Sequence, residues 1–520
     1  MGEKDCLMLV NVYGAKCAGI EAEEVTVEVD IKSGVGIHLV GLADTAVKES
    51  LLRTVTALQS LGYHIPGKKI IINLAPADVH KTGSGYDLPI ALGIIAASGQ
   101  REFPQMDRYI VMGELGLDGA VRKINGALPF AELALKKGCK GCILPLDSAE
   151  EACELDGIDV YGVANMEDAV RVLEEKEDVS DLLVLREDGA CAQPFPLGEY
   201  MDFSEIIGQQ GAKRGAEIAA AGNHNLILVG PPGSGKSSLA KAMAGILPPM
   251  SKEESLVTSK IYSIAGKGDL RSGLMRVRPV RSPHYSASLA AILGGGAGDS
   301  ITPGEISLAH GGILFLDEFG QMPKSVVQAL RGPMEDRKIV ISRLRTKVEY
   351  PASFTLVAAS NPCPCGYWGD GDRCTCTPAQ RSSYLMRLSG PIMERIDLHV
   401  WMSRVEAGKV MDKSVREGSK AVAERVAAAR LVQRERFAGE PICTNAEMSN
   451  RQIARYCPLS KECEEVLNRL LTGMNLSMRA YFRIIKVART IADLEGARDI
   501  CASHLMEAAG YRFLDKPGEL

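Results

Sequence analysis

No apolar run in this 520-residue chain is long enough to span a bilayer, which sets a membrane-spanning helix aside. No secretory signal is expected either, since Glu3, Lys4 and Asp5 stand among the opening residues, and a cytosolic (cytoplasmic) location is the expectation. A large excess of either charge is lacking, with 60 Lys and Arg against 65 Asp and Glu. A net charge of −5 excludes a generally basic nucleic-acid binder, so any such contact must come from a local patch. Tandem repeats and low-complexity tails are absent too, which sets repeat arrays aside. The 14 cysteines are scattered, and in a reducing compartment most are expected as buried thiols. What remains is an ordinary globular composition, 46% apolar and 24% charged. A chain of 520 residues should form roughly two to four domains.

The strongest motif is Gly230-Pro231-Pro232-Gly233-Ser234-Gly235-Lys236-Ser237. It follows the apolar run Leu226-Ile227-Leu228-Val229 and precedes a helix-like stretch from Ser238 to Ala244. This is a P-loop in its strand–loop–helix setting, with Gly230 to Ser238 as the nucleotide-binding residues. Its glycines let backbone N–H groups turn inward around phosphates, and the helix N-terminus adds a positive dipole end. Lys236 can reach the β- and γ-phosphates of ATP, and the Ser237 hydroxyl can hold Mg²⁺.

Hydrolysis is implied by Gly311-Gly312-Ile313-Leu314-Phe315-Leu316-Asp317-Glu318, about eighty residues further on. Its apolar run fits a buried parallel strand, with carboxylates at the C-terminal edge where ligands collect in open α/β sheets. Asp317 is expected to serve Mg²⁺, and Glu318 to orient or deprotonate the attacking water. Phe354 to Ala359 reads as another buried strand that ends at Ser360-Asn361. The Asn361 amide can position that water; otherwise it is a turn residue.

Composition divides the chain into residues 1–175, a charged and Pro-containing linker over 176–200, a nucleotide-binding core over 201–405 and a helical part over 406–520. Val25, Val27 and Val29 alternate as in a strand, whereas 45–61, 88–98, 419–436 and 477–495 predict helices. Cys363, Cys365, Cys374 and Cys376 can close a tetrahedral Zn²⁺ site, with Gly366, Gly369 and Gly371 letting the loop fold back. The alternative is four reduced thiols in a flexible loop. Cys139 and Cys142 form a lone CxxC with no second pair nearby, read as structural.

The core resembles the AAA+ ATPases of the magnesium-chelatase group. The likeness rests on Gly294-Gly295-Gly296 followed by Pro303 to His310, on Asn361-Pro362-Cys363-Pro364-Cys365-Gly366, and on Ser389 to Asp397. Taken with the N-terminal part, the whole chain resembles the ComM/YifB-type magnesium-chelatase-like proteins. The fold class so implied is α/β: a P-loop AAA+ core with a parallel sheet, a Lon-protease-like α+β N-terminal domain and a C-terminal helical lid. The resemblance also implies a homohexameric ring ATPase acting as a DNA branch-migration helicase in natural transformation and homologous recombination. Branched or single-stranded DNA and recombination proteins would be its partners. It casts Arg395 as an arginine finger in trans and Arg479 as a sensor-2 residue on the lid. For each arginine the alternative is a surface salt bridge.

Two stretches of the core are basic. Residues 260–281 carry Lys260, Lys267, Arg271, Arg276, Arg278 and Arg281 against Asp269, and 337–347 carry Arg337, Lys338, Arg343, Arg345 and Lys347 with no acid. The second reads as a hairpin. In the related ATPases, insertions at these places face the ring pore, so the resemblance implies a positive channel for a phosphate backbone. Solvated charged loops are the alternative.

Residues 1–175 resemble the proteolytic domain of Lon-type proteases through Ala77 to Pro89 and Gly113 to Gly119. The nucleophile position falls on Gly85 and the lysine position on Leu128, while Ser84 is one residue off and Lys123 lies before the turn. A Ser–Lys dyad needs both groups in contact, so a non-proteolytic scaffold or DNA-facing platform is expected. Two other functions share such an ATPase: a chelatase-like motor that remodels a protein partner, and an ATP-dependent protease, which Gly85 and Leu128 disfavour.

Overall fold

The computed structural model describes residues 9–42, 44–185, 200–267, 273–296, 301–343, 347–388, 392–405, 416–474 and 476–515. Arg271, Arg345, Asp269, Ser389 to Pro391 and most of the expected linker lie outside them. No helix among the described residues is long and apolar enough to cross a membrane.

The N-terminal part is built on a seven-stranded sheet. Its strands are β1 (Val10–Ala18), β2 (Glu21–Lys32), β3 (Gly36–Val40), β4 (Lys69–Ala75), β5 (Tyr109–Val111), β6 (Gly141–Pro145) and β7 (Asp159–Val163). They lie in the order β3-β4-β2-β1-β5-β6-β7. The β1–β2 and β2–β4 pairs are antiparallel and the others parallel, which gives a mixed α+β arrangement. The alternation read from Val25, Val27 and Val29 is the buried face of β2. That face packs with α2 (Asp87–Ala97), against which α1 (Thr45–Ser60) lies, and β2 also meets α3 (Ala127–Lys137). Asp87 is fully buried and accepts from Arg53 Nε at 3.0 Å, which ties the two helices together.

The opening of the expected linker belongs to this sheet instead. Val184 N donates to Val160 O at 2.9 Å and Gly162 N to Leu182 O at 2.9 Å, so this segment flanks β7. Leu182, Leu183 and Val184 pack on the same core, and this apolar run outweighs the acidic residues around it.

The nucleotide-binding core carries a five-stranded sheet of β8 (Leu226–Val229), β9 (Val280–Arg281), β10 (Ile313–Leu316), β13 (Thr355–Ser360) and β14 (Leu398–Trp401). Their order is β9-β10-β13-β8-β14, and every pair is parallel. The residues of β8, β10 and β13 are buried throughout, as two-sided coverage by helices demands. Between β10 and β13 the chain forms the expected hairpin, β11 (Lys338–Ser342) and β12 (Lys347–Pro351), with Ser342 opposite Lys347. Helices α4 (Gln210–Gly222), α5 (Lys236–Ala244), α6 (Lys252–Ala265) and α7 (Arg331–Asp336) belong to the core. After the core come α8 (Ser419–Arg436), α9 (Met478–Leu494) and α10 (Ala502–Gly510). Ile484, Ile485, Ala488 and Ile491 form the buried stripe of α9, which joins the cluster that includes Leu226 and Leu228 of β8.

The N-terminal part is docked on the core. At the β1–β2 turn Gly19 has φ +68, and a Cβ there would lie 2.5 Å from the Glu349 carbonyl of β12, so only glycine allows that approach. On the α6 side, Gly126 N donates to Ser263 O at 3.1 Å and Ser263 Oγ to Glu151 at 2.6 Å.

Candidate nucleotide site and its surroundings

The P-loop lies at the C-terminal edge of β8, between its neighbours β13 and β14, where open parallel sheets bind ligands. Gly233 and Gly235 take left-handed φ values of 76° and 91°, which turn the loop from strand into α5. Lys236 is the first residue of that helix and is 9% exposed. Its Nζ donates to Gly230 O at 2.6 Å, to Pro231 O at 3.1 Å and to Asn361 Oδ1 at 3.3 Å. Burial pulls the ammonium below its usual range, against the opposing charge of Asp317.

Ser237 Oγ donates to Asp317 Oδ2 at 2.9 Å. A hydroxyl and a carboxylate are hard oxygen donors, so this pair fits Mg²⁺ at the expected place. Glu318 leaves the strand with φ 49 and ψ 39, and its N–H donates to Asp317 Oδ1 at 2.8 Å. The structure therefore brings Lys236, Ser237, Asp317, Glu318 and Asn361 to one sheet edge.

The cysteine loop begins two residues after Asn361. All four sulfurs, of Cys363, Cys365, Cys374 and Cys376, lie within 4.8 Å of one another. Cys363 Sγ is 3.3 Å from Cys365 Sγ and 3.8 Å from Cys374 Sγ, and Cys365 is 3.7 Å from Cys374. A Zn–S bond of about 2.3 Å makes each edge of a ZnS₄ tetrahedron about 3.8 Å, so the thiol set fits zinc. The loop also touches the P-loop: a Cβ on Gly366 would lie 3.3 Å from the Pro232 ring. Trp368 N donates to Cys363 Sγ, and the Trp368 ring meets Trp401 edge-on, which ties the loop to β14. Neither Pro232–Gly366 nor Trp368–Trp401 could be read from spacing. Elsewhere, Cys142 is buried and its thiol is pushed up by that burial, as suits a structural residue.

Arg395 stands apart from these groups and is 7% exposed. Its Nη2 lies 2.5 Å from Glu335 Oε1 of α7, a partner that no sequence motif marks. Arg479 pairs with Glu394, next to Arg395, rather than with a P-loop residue. One turn along α9, Arg483 pairs with Asp397. Burial raises the Asp397 carboxyl, but Arg483 and then His224 hold it well below the usual range.

The two basic stretches differ from one another. Much of 260–281 is turned inward, contrary to its expected role in DNA contact. Lys260 is buried and pairs with Glu132 and with Glu21, at 3.4 Å to the latter. Arg278 donates to Pro248 O at 2.7 Å and Gly311 O at 2.6 Å and pairs with Glu254 at 2.8 Å. Arg281 holds Glu305 through Nε at 2.6 Å and Nη2 at 2.9 Å. These cations are neutralised by carboxylates remote in sequence, so the local charge count overstates the patch. Lys267, 3.5 Å from Glu305, and Arg276 remain exposed. In the hairpin, by contrast, Arg343 and Lys347 are exposed where the strands turn, although Lys338 pairs with Glu349 at 3.1 Å.

The Lon-like positions are closed. A Cβ on Gly85 would lie 2.9 Å from Met112 Cε, and Leu128 is fully buried. Ser84 bonds to the Glu114 carboxylate, and Lys123 is exposed.

Sheet order, P-loop and strand-end carboxylate together define a P-loop core of the AAA+ class. The family described as magnesium chelatase, subunit ChlI, matches residues 202–410. A second family, subunit ChlI of Mg-chelatase, matches 27–148, and the ChlI C-terminal family matches 416–512. YifB of Escherichia coli is 42% identical over 518 residues, covering 98% of each chain. The competence protein ComM of Haemophilus influenzae is 40% identical over 508 residues, covering 97% of this chain and 98% of its own. Lon protease 2 of Bacillus subtilis is 26% identical over 222 residues, 37% of this chain and 39% of its own. The chain belongs to the ComM/YifB-type magnesium-chelatase-like family.

Proposed function

We propose that this protein is an ATP-driven hexameric ring motor that acts on branched or single-stranded DNA, as a branch-migration helicase in recombination or natural transformation. The observation that carries the reading is the convergence of Lys236, Ser237, Asp317, Glu318 and Asn361 at one sheet edge, on a core that also extends a hairpin with exposed Arg343 and Lys347. Lys236 binds the β- and γ-phosphates once its bonds to Gly230 O and Pro231 O are exchanged for phosphate oxygens. Ser237 and Asp317 hold Mg²⁺, which neutralises charge on the phosphates. Glu318 orients the water and accepts its proton, and Asn361 fixes the Lys236 ammonium and the water. Arg395 serves the nucleotide of a neighbouring subunit. Arg479, paired with Glu394 beside Arg395, serves as the sensor-2 residue of the lid.

The four cysteines hold one structural Zn²⁺, whose loop supports Pro232 of the P-loop. The N-terminal part is a non-proteolytic platform, supported by the methionine packed where a nucleophile's Cβ would stand. The domain plan proposed is an N-terminal part over 1–175 that also takes in Leu182 to Val184, a core over 201–405 and a helical lid over 406–520.

ATP hydrolysis measured with forked DNA, four-way DNA and casein tests the function. DNA should stimulate turnover and casein should not. Stimulation by a protein substrate with none by DNA would replace this reading with partner remodelling.

A further inference from the structure

Arg395 is held on three sides within its own subunit. Asn225 Nδ2 donates to its carbonyl at 3.2 Å, which anchors the backbone to the start of β8. Arg479 and Arg483, one turn apart on α9, grip Glu394 and Asp397 on either side of it. Its guanidinium meets Glu335 at 2.5 Å. The backbone of this loop is thus fixed by buried and charged contacts, and the side-chain direction is the part that can change.

Glu335 is placed to report such a change. It sits in the last turn of α7, two residues before Arg337. Arg337 caps that helix in a left-handed conformation, φ 54, and its carbonyl accepts from Ala352 N at 2.8 Å, just past the end of β12. The Arg337 side chain reaches Ser353 Oγ at 3.1 Å and Glu447 at 3.4 Å. Lys338 then begins β11 with no intervening residue. Helix α7 and the hairpin stem are therefore one mechanical piece, with Glu335 near one end and Arg343 and Lys347 near the other.

The ion pair is suited to exchange. The Glu335 side chain is 54% exposed, so water screens the carboxylate end of the pair and can solvate it when the arginine leaves. A polyphosphate offers more charge and more acceptor oxygens to a guanidinium. When Arg395 turns away, Glu335 keeps company with Arg479 and Arg483, whose charges already help hold its carboxyl below the usual range after the Arg395 bond itself. A ligand shifts such an equilibrium only by its differential contacts, and here both states have named partners.

We propose that Glu335 is the counter-ion that Arg395 leaves when it engages a neighbouring subunit's nucleotide, and that this exchange passes through α7 to the β11–β12 hairpin. The inference rests on Arg395 acting in trans, as the proposed function has it. Glu335 is a positioning residue: it touches no substrate, and it sets how readily the arginine is available and whether the hairpin registers it.

The test is steady-state ATP hydrolysis by full-length Glu335→Gln, with and without forked DNA, beside Glu335→Asp and Arg395→Ala. Glu335→Gln removes the charge and keeps the shape at a half-exposed position. Its DNA-free turnover should rise severalfold, its KM for ATP should fall, and its stimulation by DNA should be largely lost. Glu335→Asp should restore the parent's stimulation ratio. Parent-like turnover and stimulation in Glu335→Gln would overturn the proposal. A uniform decrease with the ratio preserved would overturn it too, since that is what a structural role predicts. Parent-like turnover in Arg395→Ala would instead remove the trans role of Arg395, a separate failure.

Discussion

Ser237 and Asp317 meet at 2.9 Å across eighty residues of chain. The first stands in the opening turn of α5, which follows β8, and the second at the end of β10, so the crossings on either side of β13 place a hydroxyl and a carboxylate at one point. Lys236, bonded to Asn361 from β13, completes a constellation drawn from three adjacent crossings. Such a site has separable parts. Lys236→Ala should lose most ATP binding. Glu318→Gln should retain binding yet lower kcat by about a hundredfold or more, the usual scale for removal of a general base. Nucleotide binding and turnover measured on the same preparations check both, and undiminished turnover in either variant would defeat its assignment.

Zinc content is the next expectation. Sulfur–sulfur distances of 3.3 to 3.8 Å among Cys363, Cys365 and Cys374 suit a cation held between thiolates. Protein purified without chelator should carry about one zinc ion per chain, the complement of one four-thiolate site. Cys363→Ser combined with Cys374→Ser should abolish it. Since Gly366 of this loop backs Pro232, the same variant should raise the KM for ATP more than it lowers kcat. Elemental analysis finding no stoichiometric zinc would leave four thiols that happen to cluster.

His310 predicts a pH dependence of stability. Its Nδ1 accepts the Ser353 N–H at 3.1 Å, so that nitrogen must be unprotonated in the folded protein. Burial holds its pKa down at about 4, against an ordinary value of 6.5. Between those values the unfolded chain binds the proton and the folded chain does not, so stability falls as pH drops through that window. Above it the histidine contributes no pH dependence. In His310→Asn, whose side-chain oxygen can still accept the Ser353 N–H, the melting temperature should fall less steeply between pH 6.5 and 4. Parallel curves for the two proteins would show that His310 is not the group responsible.

Much of this architecture is legible in local pattern. The P-loop, the buried strand ending in Asp317 and Glu318, the 419–436 helix and the Lys338–Lys347 hairpin all depend on residues close in sequence. Periodicity or turn residues mark each of them. What escaped is pairing at a distance. Glu132 neutralises Lys260 and Glu305 takes Arg281, so a window of basic residues looked like a patch while its counter-charges lay elsewhere in the chain. Leu182 to Val184 was hidden by its acidic surroundings, because only the sheet supplies a partner for its backbone. Glu335 carries no motif at all, being one of many carboxylates until the fold sets it against Arg395.

The same distinction sharpens the expectation for DNA. Arg343 and Lys347 flank the tip of the β11–β12 hairpin and are exposed, whereas Arg281 is occupied by a two-point bond to Glu305. A phosphate backbone binds mobile, solvent-facing cations by releasing counterions, so removing such a cation weakens binding and flattens its salt dependence. Arg343→Ala with Lys347→Ala should therefore reduce forked-DNA affinity and unwinding together. Its slope of log affinity against log salt should be shallower by about 0.7 for each single-strand phosphate that is no longer neutralised. DNA-free ATP hydrolysis should survive, because neither side chain belongs to the nucleotide constellation. Arg281→Ala should show the opposite profile, a lower melting temperature through loss of the two-point bond to Glu305, with the salt slope unchanged. An unaltered slope in the hairpin variant would move the DNA path off the hairpin and onto other exposed cations, with Lys267 and Arg276 of the first basic stretch the next to be replaced.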